Sequence, residues 1–291
     1  LQIPILLSPM AGVCPVSLSA AVANAGGMGS CGALLMTPEQ ISSWVKEMRE
    51  SSNGTFQLNT WIPDPKPIRN LKHENSIKKL IAKWEPEVSN LPDNLPSQDF
   101  ELQCEAMLKA NPPIISSIMG LYPSQFVSSM KNNNIKWFAT VTTVSEAIEA
   151  ENAGANAVVA QGMEAGGHRG SFIAENASEN MVGLFSLLPA VVDAVKIPVI
   201  AAGGIADGRG IAASFLLGAS AVQMGTCFFR SPEAKIPKVW AEKLNSTYPE
   251  DTITTRAFSG RLGRSLRTKY ALEASSLKAP SPAPYPIQRH L

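Results

Sequence analysis

The stretch "PVIAAGGIADGRGIAASFLLGASAVQMGT", residues 198–226, decides the fold. A continuous apolar run, Pro198–Ala202, ends in Gly203-Gly204. A helical stretch, Gly210–Leu217, follows, and a second apolar run, Ala221–Met224, ends in Gly225-Thr226. Apolar runs without polar alternation are the mark of parallel strands buried on both faces. The unit is therefore strand–helix–strand, with glycine at both strand ends. In α/β barrels the turns after strands seven and eight form a phosphate site. Glycine lets backbone N–H groups approach an oxyanion, and a helix opening near Asp207 would add a favourable dipole. The Thr226 hydroxyl is a further donor. One Gly-Gly alone would read as a strand cap; the second strand-end glycine turns the reading to phosphate. No Gly-Lys-Ser/Thr closes the loop and no GxGxxG spacing occurs, so Walker A and dinucleotide loops are excluded.

The same rhythm extends outward. Strands are expected at Pro4–Pro9, Gly29–Leu35, Phe56–Trp61, Ile114–Met119, Trp137–Val141, Ala157–Gln161, Pro198–Ala202 and Ala221–Met224. Helices are expected at Ser17–Asn24, Glu39–Arg49 behind Thr37-Pro38, Ser145–Ala153, Leu184–Val195 and Gly210–Leu217. Thr37 is an N-cap with Pro38 at the first helical position. Eight strands with intervening helices give an α/β fold, a (β/α)8 TIM barrel; an open doubly wound sheet is the alternative that the alternation permits. Two regions break the rhythm. Residues 62–99 carry Pro63, Pro65, Pro67, Pro86, Pro92 and Pro96, with a helical patch near Ser76–Trp84. Residues 230–291 follow the eighth strand, partly helical. Barrel over 1–62 and 100–229, and a smaller, mostly helical lid or substrate domain over 63–99 and 230–291, is the expected division. A loop insertion with a frayed tail is the plainer alternative.

Composition sets limits. The chain has 291 residues, 45% hydrophobic and 17% charged, which suits a core-rich globular protein. With 25 Lys+Arg against 24 Asp+Glu, no basic excess points to nucleic acid. No apolar run approaches the ~20 residues of a membrane span, so no membrane partner is expected. Cys14, Cys31, Cys104 and Cys227 are dispersed without a CxxC pair, which suits a reducing, cytoplasmic location rather than a zinc ribbon or disulfide scaffold. The chain begins at Leu1 without methionine, so a few preceding residues are expected to be missing, and a processed targeting peptide stays open.

The second signal is "AQGMEAGGHRG", residues 160–170, after the sixth strand. His168 stands among Gly162, Gly166, Gly167 and Gly170, a setting that neither a core filler nor a cap requires. Imidazole titrates near neutrality and is suited to moving protons. Glu164 and Arg169 stay open between substrate contact and solvated charge, and His73 and His290 receive no role. The end of the first strand, Ser8-Pro9-Met10-Ala11-Gly12, allows a flat ring to lie against backbone, although taken by itself it reads more readily as a simple turn. Asn59, Gln161 and Gln223 place amides at strand ends, where they offer a donor and an acceptor to a heterocycle edge. A phosphate cradle, strand-end amides and one histidine outline a pocket for a flat heteroaromatic with a single phosphate. Flavin mononucleotide (FMN) fits that description better than a dinucleotide. No GxSxG, HExxH or histidine-rich metal set competes, and no metal is expected. A cysteine nucleophile at Cys14, Cys31 or Cys227 is less favoured than buried thiols acting as small hydrophobes.

Taken in order, "LLSPMAG" (6–12), "FQLNTW" (56–61), "QGMEAGGHRG" (161–170), "AAGGIADGRG" (201–210), "AVQMGTCFF" (221–229) and "AFSGRLGRSL" (257–266) resemble the nitronate monooxygenase family, formerly called 2-nitropropane dioxygenases. The resemblance runs from Pro4 to about Tyr285. It implies a barrel binding FMN non-covalently under a smaller helical domain, and oxidation of nitronates or nitroalkanes by O2 to carbonyl compounds and nitrite. Propionate 3-nitronate, and a role in detoxification, are implied in the same way. Met10 and Ala11 would approach the flavin through their backbone. Asn59, Gln161, Gly166 and Gly167 would line it, and Gly203, Gly204, Gln223, Met224, Gly225 and Thr226 would hold its phosphate end. His168 falls on the family's active-site histidine. It would deprotonate a nitroalkane at the α-carbon or, charged, hold a nitronate.

The family continues past "PYPIQ" (284–288) into a final helix and a Trp-Ala-Gly-Gln stretch that returns to the flavin. This sequence ends at Leu291, so the C-terminal end of the smaller domain is expected to be incomplete. An FMN-dependent enoyl-acyl-carrier-protein reductase or NAD(P)H:quinone reductase shares the glycine signatures and is the alternative; "GGHRGSF" (166–172) and "MVGLFSLLP" (181–189) lean to the nitronate group. A catalytically silent flavin-binding protein is the second alternative. A homodimer is compatible with this reading, which leaves the assembly open.

Overall fold

The computed structural model describes residues 1–84 and 98–291. Pro86, Pro92 and Pro96, and the rest of the 63–99 segment between Trp84 and Gln98, lie outside the described residues. Eight parallel strands form one ring: β1 (Ile5–Leu7), β2 (Gly29–Gly32), β3 (Phe56–Trp61), β4 (Ile114–Ile118), β5 (Lys136–Val141), β6 (Ala157–Gln161), then, after the short β7 (Gly167–His168), β8 (Val199–Ala202) and β9 (Ala221–Met224). Their order around the ring is β1-β9-β8-β6-β5-β4-β3-β2. A parallel bridge between Leu6 and Met28 closes it, with Leu7 N donating to Met28 O at 2.9 Å and Met28 N to Ile5 O at 3.0 Å. The molecule is a (β/α)8 barrel, and every barrel strand overlaps one of the runs expected from the sequence.

The helices follow the local chemistry. Helix Pro38–Ser51 begins with a capping box: Gln40 N donates to Thr37 Oγ1 at 3.3 Å, and Thr37 N to Gln40 Oε1 at 2.8 Å. Its buried face, Ile41, Trp44, Val45 and Met48, has the helical spacing read from the sequence. Helix Val144–Asn152 is capped by Thr143 and helix Gly208–Leu216 by Asp207. Helices Phe100–Ala110 and Ser124–Asn132 were not among those expected. The first carried a readable cap in Asp99, whose carboxylate accepts from Glu101 N and Leu102 N. The second starts behind Pro123 without a side-chain cap, and only Met130 on it is buried, so its periodic signal is weak.

Two apolar layers result from the strand alternation. Leu6, Met28, Ile114, Ala157, Val159, Ile200, Ala202 and Ala221 cluster together with no helical member, so they fill the barrel interior. Their neighbours of opposite parity, among them Leu58, Ile115, Ala139, Val158, Ala201 and Val222, pack against helical residues such as Ile41, Met48, Ala147 and Leu188. Alternation then carries Gln161 and Gln223 to the interior face, above Val159 and Ala221. Gln57 reaches across to Gln223, its Nε2 donating to Gln223 Oε1 at 3.3 Å, and Asn59 shares its parity on β3.

The chain separates into two compact units. The first takes Leu1–Pro63, Gln98–Ala165 and Gly170–Asn245; the second takes the described part of Asp64–Ser97 with Gly166–Arg169 and Ser246–Leu291. The second unit holds helix Leu71–Ile81, capped by Asn70, and an antiparallel sheet of β10 (Thr252–Thr255), β11 (Gly263–Leu266) and β7. Its apolar contacts join Ile77 to Ala283 and Ile287, and Leu80 to Ala257 and Ala274. Gly260, at φ +89°, is required there: a Cβ would run into the Ala283 carbonyl and lie 2.6 Å from Tyr285 N.

Candidate active site

Within the first unit, the predicted residues fall at the C-terminal ends of barrel strands. Met10 and Ala11 lie in the turn after β1, where the Met10 carbonyl accepts from Val13 N and Cys14 N. The backbone of β2 closes on this turn, since a Cβ on Gly32 would sit 2.7 Å from Ala11 N. Gly203 (φ +119°) and Gly204 (φ +68°) turn the chain after β8, in conformations that favour glycine. Gly225 follows β9; a Cβ on it would come 3.2 Å from Ser8 Cβ and 3.3 Å from Met10 Sδ. Among the described residues, the backbone N–H groups of Met10, Ala11, Gly203, Gly204, Gly225 and Thr226 donate to no backbone carbonyl. Open amides on adjacent strand ends are the donor set that a phosphate or a ring carbonyl needs.

Two amides at the helix N-terminus expected to help are already engaged. Asp207 Oδ1 accepts from Arg209 N at 3.0 Å and Gly210 N at 3.2 Å, so helix Gly208–Leu216 caps itself. The side-chain amides are partly engaged as well. Asn59 Nδ2 donates to the Ser116 carbonyl and hydroxyl, leaving its Oδ1 for a ligand. Gln223 receives Gln57 on its oxygen and keeps its Nε2 donors. Gln161 Oε1 accepts from Gly170 N at 2.8 Å, which fixes the chain just beyond His168. Met224 sends its side chain into the outer apolar layer, and its carbonyl accepts from Ser8 N. Glu164 is a structural cap: both carboxylate oxygens lie 3.0 Å from Leu184 N, at the start of a helix with no cap of its own. Gly162, Gly183 and Gly204 leave the room it needs.

Gly166, Gly167 and His168 belong to the second unit. Gly167, at φ +76°, starts β7, where His168 pairs with Gly263 and Gly167 with Arg264. His168 Nε2 lies 2.7 Å from Ser259 Oγ. That hydroxyl also receives Arg261 N and donates to the Arg261 carbonyl, both at 3.3 Å. With one hydroxyl proton available, only the Nε2–H tautomer of His168 satisfies all three contacts. Arg261 is almost fully buried and pairs through Nε and a terminal nitrogen with Asp64. Burial, reinforced by the Arg261 and Arg289 guanidinium groups, pulls the His168 pKa down to about 4. The imidazole is therefore neutral at physiological pH. The sequence reading assigned no role to Ser259, Arg261 or Asp64. The segment "AFSGRLGRSL" stood out, but its partner lies 91 positions away and spacing does not reveal such a contact.

Burial pushes the thiols of Cys14 and Cys104 up to about 12 and that of Cys31 higher still. They stay protonated and behave as small apolar groups rather than nucleophiles. No helix among the described residues is long and apolar enough to cross a membrane.

A closed ring of eight parallel strands with open amides at its strand ends is the architecture of a (β/α)8-barrel enzyme. Along residues 1–291 the sequence matches the family described as Nitronate monooxygenase, and the chain belongs to that family. A probable nitronate monooxygenase of Staphylococcus aureus (strain Newman) is 36% identical over 297 residues, covering 100% of this chain and 82% of that protein. A crystal structure of nitroalkane oxidase from Streptomyces ansochromogenes agrees with a TM-score of 0.89 and 34% identity, over 99% of this chain and 83% of that one. FabK from Thermotoga maritima agrees with a TM-score of 0.73 at 34% identity, over 94% of this chain and 73% of that one. Membership makes the protein an oxidoreductase that acts on nitronates or nitroalkanes.

Proposed function

We propose that the protein oxidises nitronates, and nitroalkanes after loss of an α-proton, with O2 and FMN, giving carbonyl compounds and nitrite. The observation that carries this reading is the set of open backbone amides at Met10, Ala11, Gly203, Gly204, Gly225 and Thr226. FMN fits them: its phosphate asks for several convergent N–H donors and little steric bulk, which glycine turns supply. Gly203, Gly204, Gly225 and Thr226 would hold the phosphate end. Met10 and Ala11 would face the ring through their backbone, with Asn59 Oδ1 and Gln223 Nε2 as the side-chain contacts. When bound, FMN supplies the electron transfer between nitronate and O2.

The chain's own residues handle the proton. A neutral His168 is already in the form that accepts the α-proton of a nitroalkane, and Ser259 fixes its ring. Burial is the main reason the imidazole is neutral; the Arg261 and Arg289 guanidinium groups add to it, and their field favours an anion beside the ring, which suits a nitronate. A charged imidazole gripping the substrate is the less favoured role in this field. All four cysteines are unpaired thiols, which supports a reducing compartment, and clearance of toxic nitronates in the cytoplasm is the role we infer.

Anaerobic mixing of the flavin-loaded protein with a nitronate, NADH or NADPH tests the assignment. Rapid bleaching of the flavin bands by the nitronate, and not by the nicotinamides, is the expected result. Bleaching by NADPH or NADH alone would transfer the protein to the enoyl-reductase or quinone-reductase reading, and bleaching by none of the three to the silent flavin-binding one.

A further inference from the structure

We propose that Glu146 is a positioning residue for the histidine segment, a role that rests on the reading of His168 as the proton acceptor. Glu146 sits in the first turn of helix Val144–Asn152 and is 8% exposed. Its Oε2 accepts from Thr142 N at 2.6 Å and Thr142 Oγ1 at 2.8 Å, just beyond β5. Its Oε1 accepts from Phe172 N at 2.8 Å and lies 3.4 Å from Ser171 Oγ, whose one proton is shared with the Ile173 carbonyl at 3.2 Å. Among the described residues no cation lies within ion-pair distance of it. A buried carboxylate is costly, and three N–H and O–H donors, with a share of the Ser171 hydroxyl, here take the place of water.

The donors show what this carboxylate is for. One oxygen is fixed to the end of a barrel strand; the other holds the two residues that follow Gly170. Gln161 Oε1 holds Gly170 N itself. The chain that leaves β6 at Gln161 is thus fixed again at Gly170, Ser171 and Phe172 by two buried side chains of the barrel unit. His168 lies between those two fixed points in the chain. A neutral amide at position 146 cannot do the same work, because its nitrogen would face either the Thr142 or the Phe172 N–H, donor against donor.

Glu146→Gln separates this role from a general contribution to folding. Loss of positioning affects removal of the α-proton and leaves a preformed nitronate anion unaffected. The expected result is a fall in kcat/KM on a neutral nitroalkane on the order of a hundredfold, as small misplacements of a reacting group produce, with turnover of the matching nitronate changed less than about threefold. Hydrogen–deuterium exchange should speed up in peptides covering 166–173 and stay unchanged in β1 and β9. Equal losses on both substrates, no loss on either, or unchanged exchange in that segment would overturn the proposal. If Glu146→Gln is recovered insoluble, the same comparison is read from Thr142→Val, which removes one donor and leaves the carboxylate, with a smaller unequal loss expected. His168→Ala run alongside keeps the two readings apart. Full nitroalkane turnover in His168→Ala removes the proton acceptor itself. Lost turnover there with none lost in Glu146→Gln removes only the positioning role.

Discussion

His168 carries the sharpest consequence at the scale of a residue. Its pKa, lowered from 6.5 to about 4, means that the folded protein binds fewer protons at this site than the unfolded chain does between those values. Stability therefore rises with pH across that window, at up to about 1.4 kcal/mol per pH unit from this group, and is undiminished by it above pH 6.5. The catalytic counterpart is more direct. kcat/KM on a neutral nitroalkane should show no acid limb from this imidazole until the pH approaches 4. A limb between pH 6 and 7 that disappears in His168→Ala would show an ordinary, solvated histidine and remove the neutral-base assignment. The glycines around His168 made the residue legible in the sequence. Its neutrality was not legible, because it comes first from burial that only the fold produces, and then from Arg261 and Arg289, far along the chain.

Elements were legible in proportion to how local their causes are. Helix Pro38–Ser51 was readable because Thr37, Pro38 and Gln40 write its start and four apolar residues its buried face. The barrel strands were readable because burial on both faces leaves continuous apolar runs. The sheet of β7, β10 and β11 was not. Its sequences "GH", "TITT" and "GRSL" are short and mostly polar, and each depends on a partner elsewhere in the chain. Gly260 shows how such an element is specified. It lets residues 283–285 cross against the backbone between β10 and β11, in a space that no side chain can share. Gly260→Ala combines a positive φ with overpacking, a cost of about 3 kcal/mol or more. Limited proteolysis should then cut first within 246–291 while the barrel fragment persists. Wild-type cleavage kinetics in that variant would show that the crossing is not needed.

For the whole molecule, the proposed flavin site would link ligand binding to stability. Six residues from the turns after β1, β8 and β9 keep their N–H groups open, and a ligand that fills them binds only the folded ring. Such a ligand stabilises by RT ln(1 + [L]/Kd), about 2.7 kcal/mol at a hundredfold excess over Kd. The glycines of those turns were legible in the sequence. That Asp207 caps the neighbouring helix, and so engages the Arg209 and Gly210 amides, was not. Two outcomes distinguish this arrangement from a pocket that merely accepts a flat ring. FMN should raise the melting temperature clearly more than riboflavin, which has the same ring without the phosphate. Gly204→Asp, which sets a carboxylate at the turn and a side chain 3.1 Å from Glu164 Cβ, should reduce the FMN shift to the riboflavin level. Equal shifts for the two flavins, or an unchanged FMN shift in Gly204→Asp, would place the phosphate elsewhere and leave these amides to another ligand.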